Sequence, residues 1–177
     1  MGTGRSDVTN TINDNHAVMK AILQKVLSAS VTVDKVKISE IGKGVLVFAA
    51  IAPDDTEKDA EIMANKILKF KLWDDEDAGT RWKKSVMDIG GEVLCVSQFT
   101  LLAKTTKGTK PDFHGACPPE AASKLYHYFL QKVQNGYAED KVKNGKFQAM
   151  MEVGLVNDGP VTIELNVGSS KKEAAGK

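Results

Sequence analysis

Cysteine, net charge and long hydrophobic runs are all scarce in this 177-residue chain, and each scarcity removes a class of protein. The two cysteines, Cys95 and Cys117, have no metal-ligand spacing to each other or to any histidine, so no disulfide framework or zinc ribbon is expected and reduced, structural thiols remain. Lys and Arg number 24 against 23 Asp and Glu, and a net charge of +1 does not suit a general nucleic-acid binder with a dominant basic surface. Any RNA contact must then be local. No apolar run approaches the roughly eighteen residues of a membrane helix, and the N-terminus lacks a hydrophobic signal core. A soluble, cytoplasmic chain with no membrane partner is expected. The three histidines, His16, His114 and His127, fall in no nucleophile-base motif and read as ordinary surface or core residues. No His, Cys and carboxylate cluster has metal spacing, so neither a metal nor a cofactor is expected.

What is present is one domain's worth of alternating and apolar segments. Residues 1–18 are rich in Gly, Ser, Thr, Asn and Asp without periodicity and read as a disordered extension. Residues 168–177 read as a flexible tail, leaving 19–167 as the domain. The run from Lys20 to Leu27 and the alternation Ser30 to Val33 read as strand, ending in a turn at Asp34-Lys35. Val45 to Ile51 is unbroken and apolar, as befits a central strand buried on both faces. After Pro53, Thr56 offers an N-cap, and Ala60, Met63, Ile67 and Phe70 recur at helical steps. Trp73 to Ser85, charged and irregular, reads as a solvated loop. Glu92 to Val96 is a strand delivering Ser97, Gln98, Phe99 and Thr100 at its end. If the extended conformation persists, Ser97 and Phe99 share one face and Gln98 and Thr100 the other.

A second helix starts at Pro118-Pro119, carries the stripe Ala122, Leu125, Tyr126, Phe129, Leu130 and Val133, and closes at Asn135-Gly136. Phe147 to Val156 reads as a strand, and Val161 to Val167 as another that closes the sheet. Strands with two interspersed helices make a single α+β domain with a mixed or antiparallel sheet, barrel-like in a dimer. Two lysine groups stand out: Lys104, Lys107 and Lys110 in one loop, and Lys141, Lys143 and Lys146 around Asn144-Gly145. The first could meet phosphates, although solubility alone would explain it.

Between the last two runs lies Asn157-Asp158-Gly159-Pro160-Val161-Thr162. On their own these residues read first as a tight turn. The alternative is a pair of main-chain acceptors, since an X-Pro bond adopts the cis form cheaply and would point both carbonyls one way. Taken with Val96-Ser97-Gln98-Phe99-Thr100-Leu101, the segment resembles the two signature motifs of the D-aminoacyl-tRNA deacylases, also known as the D-tyrosyl-tRNA deacylase family. The resemblance extends through Leu23-Gln24-Lys25-Val26, Ala29 to Val33, Ile41 to Gly44 and Lys110-Pro111-Asp112-Phe113, covering about Met19 to Val167.

The resemblance implies hydrolysis of the ester of D-aminoacyl-tRNA, a chiral proofreading step, by a homodimer whose Gly159-Pro160 elements each reach into the partner's pocket. It places the ester at Ser97 to Leu101, with Ser97, Gln98 and Thr100 as catalytic candidates. Gly159, Pro160, Phe99, Thr162 and Met151 bind substrate, and Lys104, Lys107 and Lys110 meet the tRNA acceptor end. A Thr100 nucleophile lacks an evident base, so assistance from the RNA's terminal 2′-hydroxyl is preferred. A D side chain would point outward, whereas an L side chain would strike the carbonyls. Glycine is not refused sterically, so glycyl-tRNA is also a substrate unless spared in another way. Lys25 stands where the family pattern carries Arg, which leaves the roles of Gln24 and Lys25 open. The competing reading is a catalytically silent RNA- or DNA-binding module of the same fold.

Overall fold

The computed structural model describes residues 17–168, so the two tails expected at 1–18 and 168–177 fall, except at their inner ends, outside the described residues. The strands are β1 (Met19–Val33), β2 (Val36–Ile41), β3 (Gly44–Ala50), β4 (Trp73–Asp75), β5 (Thr80–Lys84), β6 (Glu92–Ser97), β7 (Val142–Asn144) and β8 (Glu152–Val167), and the two α-helices are α1 (Glu57–Lys69) and α2 (Pro119–Gly136). One mixed sheet runs β2-β1-β3-β6-β7 with β8 also on β1. The pairings of β1 are antiparallel, whereas β3 to β6 and β6 to β7 are parallel. As expected from sequence, this is a single α+β domain with a mixed sheet and two principal helices.

β1 organises the sheet. Its first half, Lys20 to Val26, pairs with β3, its second half, Ala29 to Val33, pairs with β2, and β8 follows it from Met19 to Thr32. The sheet curls until the Ser39 hydroxyl of β2 donates to the Asn144 carbonyl of β7, which gives the barrel-like shape. Inside lie Val26, Val31, Ile41, Leu46, Leu94 and Val96. Leu23, Val45, Val47 and Val93 instead pack with Met63 and Ile67 of α1 and with Tyr126, Phe129 and Val133 of α2. Successive residues of β3 thus bury on opposite sides, which is why its sequence is apolar without alternation. Each such side chain contributes roughly 1.5–3 kcal/mol on burial. Gly44 lets β3 approach β6, since a Cβ there would stand 1.8 Å from the Glu92 carbonyl oxygen.

α1 begins at Thr56, whose Oγ1 accepts from the Asp59 N–H while the Asp59 carboxylate accepts from the Thr56 N–H. This reciprocal cap satisfies two otherwise unpaired donors.

Three local expectations are corrected. Trp73 to Ser85 is mostly a small hairpin, β4 against β5, with Trp73 buried in the main core. Two carboxylates tie the hairpin across: Asp74 accepts from the Trp82 N–H at 3.0 Å, and Asp75 forms an ion pair with Lys84 at 3.1 Å. Dense charge had masked two short strands. The run from Phe147 does not become strand until Glu152, because residues 145–151 turn over the barrel end, where the Gly145 N–H donates to the Cys95 carbonyl at 2.8 Å. Lastly, the residues around Gly159-Pro160 do not turn between two strands, since β8 passes through them and keeps β1 as partner on both sides.

Candidate active site

The first motif leaves the sheet where β6 ends. Ser97 still pairs with Ala49, and the Gln98 N–H donates to the Ala49 carbonyl at 2.8 Å. At φ −142°, ψ 73° Gln98 then departs from strand geometry, and Phe99–Leu102 form one turn of 3-10 helix. The strand alternation expected through Thr100 therefore stops at Gln98. The Leu101 N–H donates to the Gln98 carbonyl and the Ala103 N–H to that of Thr100, both at 3.2 Å. Within this turn the Gln98 amide Nε2–H donates to Thr100 Oγ1, which joins two of the three expected catalytic residues. An amide donor is no proton acceptor, so this contact does not activate Thr100 as a nucleophile.

Phe99 is 56% exposed, and its ring meets Phe113 edge-on with centroids 5.0 Å apart. Phe113 is brought back by the bridge between Lys104 and Asp112, whose N–H groups donate to each other's carbonyls at 2.9 and 3.0 Å. The loop so closed displays Lys104, Lys107 and Lys110, all exposed, beside the motif. Asp112 accepts from the His114 N–H at 2.9 Å, and the backbone and ring of His114 hold its carboxyl below the usual range. Met151 packs against the barrel cluster that includes Val96, the residue before Ser97, and its sulfur accepts from the Lys146 N–H at 3.4 Å.

The second motif is a bulge in β8. Asn157 pairs with Val26 and Thr162 with Gln24, so Asp158 to Val161 stand against Lys25 alone. The Gly159-Pro160 peptide is cis, and Gly159 has φ +143°, a conformation that L side chains rarely adopt. A Cβ there would lie 2.6 Å from Val161 Cγ2 and 2.9 Å from Val161 N. Asn157 clasps the base of the bulge: its Oδ1 accepts from the Val161 N–H at 2.8 Å, and its Nδ2 donates to the Val161 carbonyl at 3.2 Å and to Thr162 Oγ1 at 3.1 Å. Gln24 Nε2 also reaches Thr162 Oγ1, at 3.3 Å. Lys25 Nζ lies 3.5 Å from Asp158 Oδ2 and 5.7 Å from the centre of the Trp73 ring. Sequence reasoning had placed Thr162 in the pocket and had missed Asn157 and Trp73.

Within one chain the two motifs are well separated along the sheet. From the bulge on β8 to the end of β6 the path crosses β1 and β3, and Gln98 sits level with Ala49 and Ala21, four residues along β1 from Lys25. Strand spacing and rise put them on the order of 20 Å apart along the sheet. Among the described residues no three His, Cys, Asp or Glu side chains form a metal-holding group, and no helix is long and apolar enough to cross a membrane.

A family described as D-Tyr-tRNA(Tyr) deacylase matches residues 22–166. The chain belongs to this family. It is 51% identical over 154 residues to the D-aminoacyl-tRNA deacylase of Yarrowia lipolytica, covering 86% of this chain and 100% of that one. To D-aminoacyl-tRNA deacylase 1 of Homo sapiens it is 50% identical over 147 residues, 83% of this chain and 69% of the relative. Among solved structures it resembles the c-Myc DNA Unwinding Element Binding Protein, with TM-score 0.80, 49% identity and 85% and 99% of the two chains covered. A probable eukaryotic D-amino acid tRNA deacylase shares the fold at TM-score 0.74 and 19% identity, covering 85% of this chain and all of that one. Both deacylase motifs fall inside the matched range.

Proposed function

We propose that this chain hydrolyses the ester of D-aminoacyl-tRNA, releasing free tRNA and the D-amino acid, and spares the L form. The observation that carries the reading is likeness at about half identity across the whole of a curated deacylase, with both motif segments inside the family match. The working unit is a homodimer in which the Gly159-Pro160 bulge of one protomer faces the Gln98 to Thr100 turn of the other. The separation of the two segments within one chain supports a composite site.

In that site the bulge's backbone carbonyl oxygens accept hydrogen bonds from the substrate ammonium group. The ester lies over the 3-10 turn, where the N–H groups of Phe99 and Thr100 open the turn without acceptors inside it and can hold the carbonyl oxygen as it becomes an oxyanion. Water attacks the ester carbon. Its proton passes by way of the terminal 2′-hydroxyl to the departing 3′-oxygen, so no protein base is required. Gln98 and Thr100 orient the ester, Phe99 and Met151 shape the pocket wall, and Lys104, Lys107 and Lys110 attract acceptor-end phosphates. A D side chain points out to solvent, whereas an L side chain collides with the bulge. A glycyl ester has no side chain to refuse and is hydrolysed too.

Deacylation of D- and L-aminoacyl-tRNA carrying the same amino acid tests the activity. D-selective release is expected, and its absence would favour the silent binding module, the reading to which the lysine-rich loops lend support. Subunit mixing tests the composite site. Gly159→Ala and Gln98→Ala homodimers should each be inactive, while random mixing of the two should recover about a quarter of parent activity, because half the dimers then hold one intact site. No recovery would place both motifs' action within one chain.

A further inference from the structure

We infer that Trp73, carried on the β4–β5 hairpin, is a positioning residue for chiral selection, holding the Gly159-Pro160 bulge through Lys25 and Asp158. This rests on the proposed role of the bulge as the element that refuses L substrates. Lys25 is the only β1 residue opposite the bulge, between the Gln24–Thr162 and Val26–Asn157 pairs. Its ammonium has two partners, the Asp158 carboxylate at 3.5 Å and the face of the Trp73 ring at 5.7 Å. The Lys25 side chain is mostly shielded, at 18% exposure, so water screens these contacts less than on an open surface.

The choice of tryptophan is informative. Trp73 is 4% exposed, and its Nε1–H is buried without a hydrogen-bond partner among the described residues. A buried unmet donor is costly, and Phe or Leu would fill the core without it. Trp, however, offers the strongest ring face for a cation. A lysine, lacking the fork of a guanidinium, makes one point contact to a carboxylate. The indole face supplies a second and restricts where the ammonium can sit, which fixes Asp158 and, one residue on, Gly159.

The test is the ratio of kcat/KM for D-Tyr-tRNA over L-Tyr-tRNA. A purely structural role for Trp73 would lower the active fraction for both substrates and leave the ratio unchanged. Trp73→Leu and Lys25→Met are each expected to lower the ratio roughly three- to tenfold, the size of one shielded cation–ring contact. The double variant should fall little further, because both act through one link. Trp73→Phe, which keeps a ring and most of the packing, should fall less than Trp73→Leu, and Lys25→Arg should hold the parent ratio. Parent ratios in Trp73→Leu and Lys25→Met, with a lowered ratio in Gly159→Ala, would overturn the inference while the bulge keeps its role. A parent ratio in Gly159→Ala would overturn that role and the inference with it.

Discussion

The two halves of the site are built in opposite ways. The Gln98 to Leu102 turn is held by a few short-range hydrogen bonds, and its Phe99 and Thr100 face solvent. The Gly159-Pro160 bulge is equally exposed but fastened from three directions: by the Asn157 clasp, by Gln24 through Thr162, and by Lys25 through Asp158. A group that orients a variable ester tolerates some give. A filter that works by collision, the role proposed for the bulge, does not.

The largest effect should come from Gly159→Ala. Its added Cβ meets Val161 within 2.6 Å in a backbone conformation already unfavourable to alanine. Hydrolysis of D-aminoacyl-tRNA is expected to fall roughly a hundredfold or more, with the fold retained by circular dichroism. Near-parent activity and selectivity would remove the need for a rigid bulge. Asn157→Ala should come next. Losing three hydrogen bonds at a partly buried position is expected to cost about 1–2 kcal/mol of stability in urea melts and about tenfold in D over L selectivity. If stability falls but selectivity holds, the clasp supports the strand and not the filter.

On the other half, Thr100→Ala should cost only a few-fold in kcat, because the Oγ1 accepts from Gln98 and contacts no base. Single-turnover deacylation checks this, and complete loss in a folded variant would restore a covalent threonine route. A 2′-deoxy terminal adenosine is expected to slow the parent enzyme far more than Thr100→Ala does.

The smallest effect is one of stability with pH and belongs to the end of the sheet that carries Gln98. Burial pushes Asp55 up to about 6, although hydrogen bonds from the Ala52 and Met19 N–H groups pull it down. Between its ordinary value and about 6 the folded chain binds a proton that the unfolded chain does not. Its contribution is therefore full at low pH and is lost as pH rises through about 6. After discount for partial exposure, about 1 kcal/mol separates pH 5 from pH 7.5, readable as a shift in urea midpoint that Asp55→Asn abolishes. Selectivity should not change over that range. If it does, the two halves are coupled through β1.

Much of this was legible in the residues. The period of two in β1, the unbroken apolar run of β3, the Thr56 cap and the Pro119 start of α2 are local signals, and each appears where the pattern placed it. Trp73 to Lys84 was misread because an exposed, charged segment carries no apolar alternation, yet its ends pair as a hairpin, with one ion pair between Asp75 and Lys84, and leave the indole to the core. Asn157 was passed over because an Asn before Asp-Gly-Pro is ordinary turn chemistry. Only the continued pairing of β8 with β1 shows that its amide ties a bulge.

The sequence by itself determined most of the elements, the faces they bury and the two motifs, because these follow from backbone preference and hydrophobic period over a few neighbouring residues. Tertiary structure alone decided that Lys25, Trp73 and Asp158 meet, and that Gln98 lies far along the sheet from Gly159. Those facts depend on strand order and register. Both are set by how residues distant in the chain bury one another, and no short stretch of sequence records that.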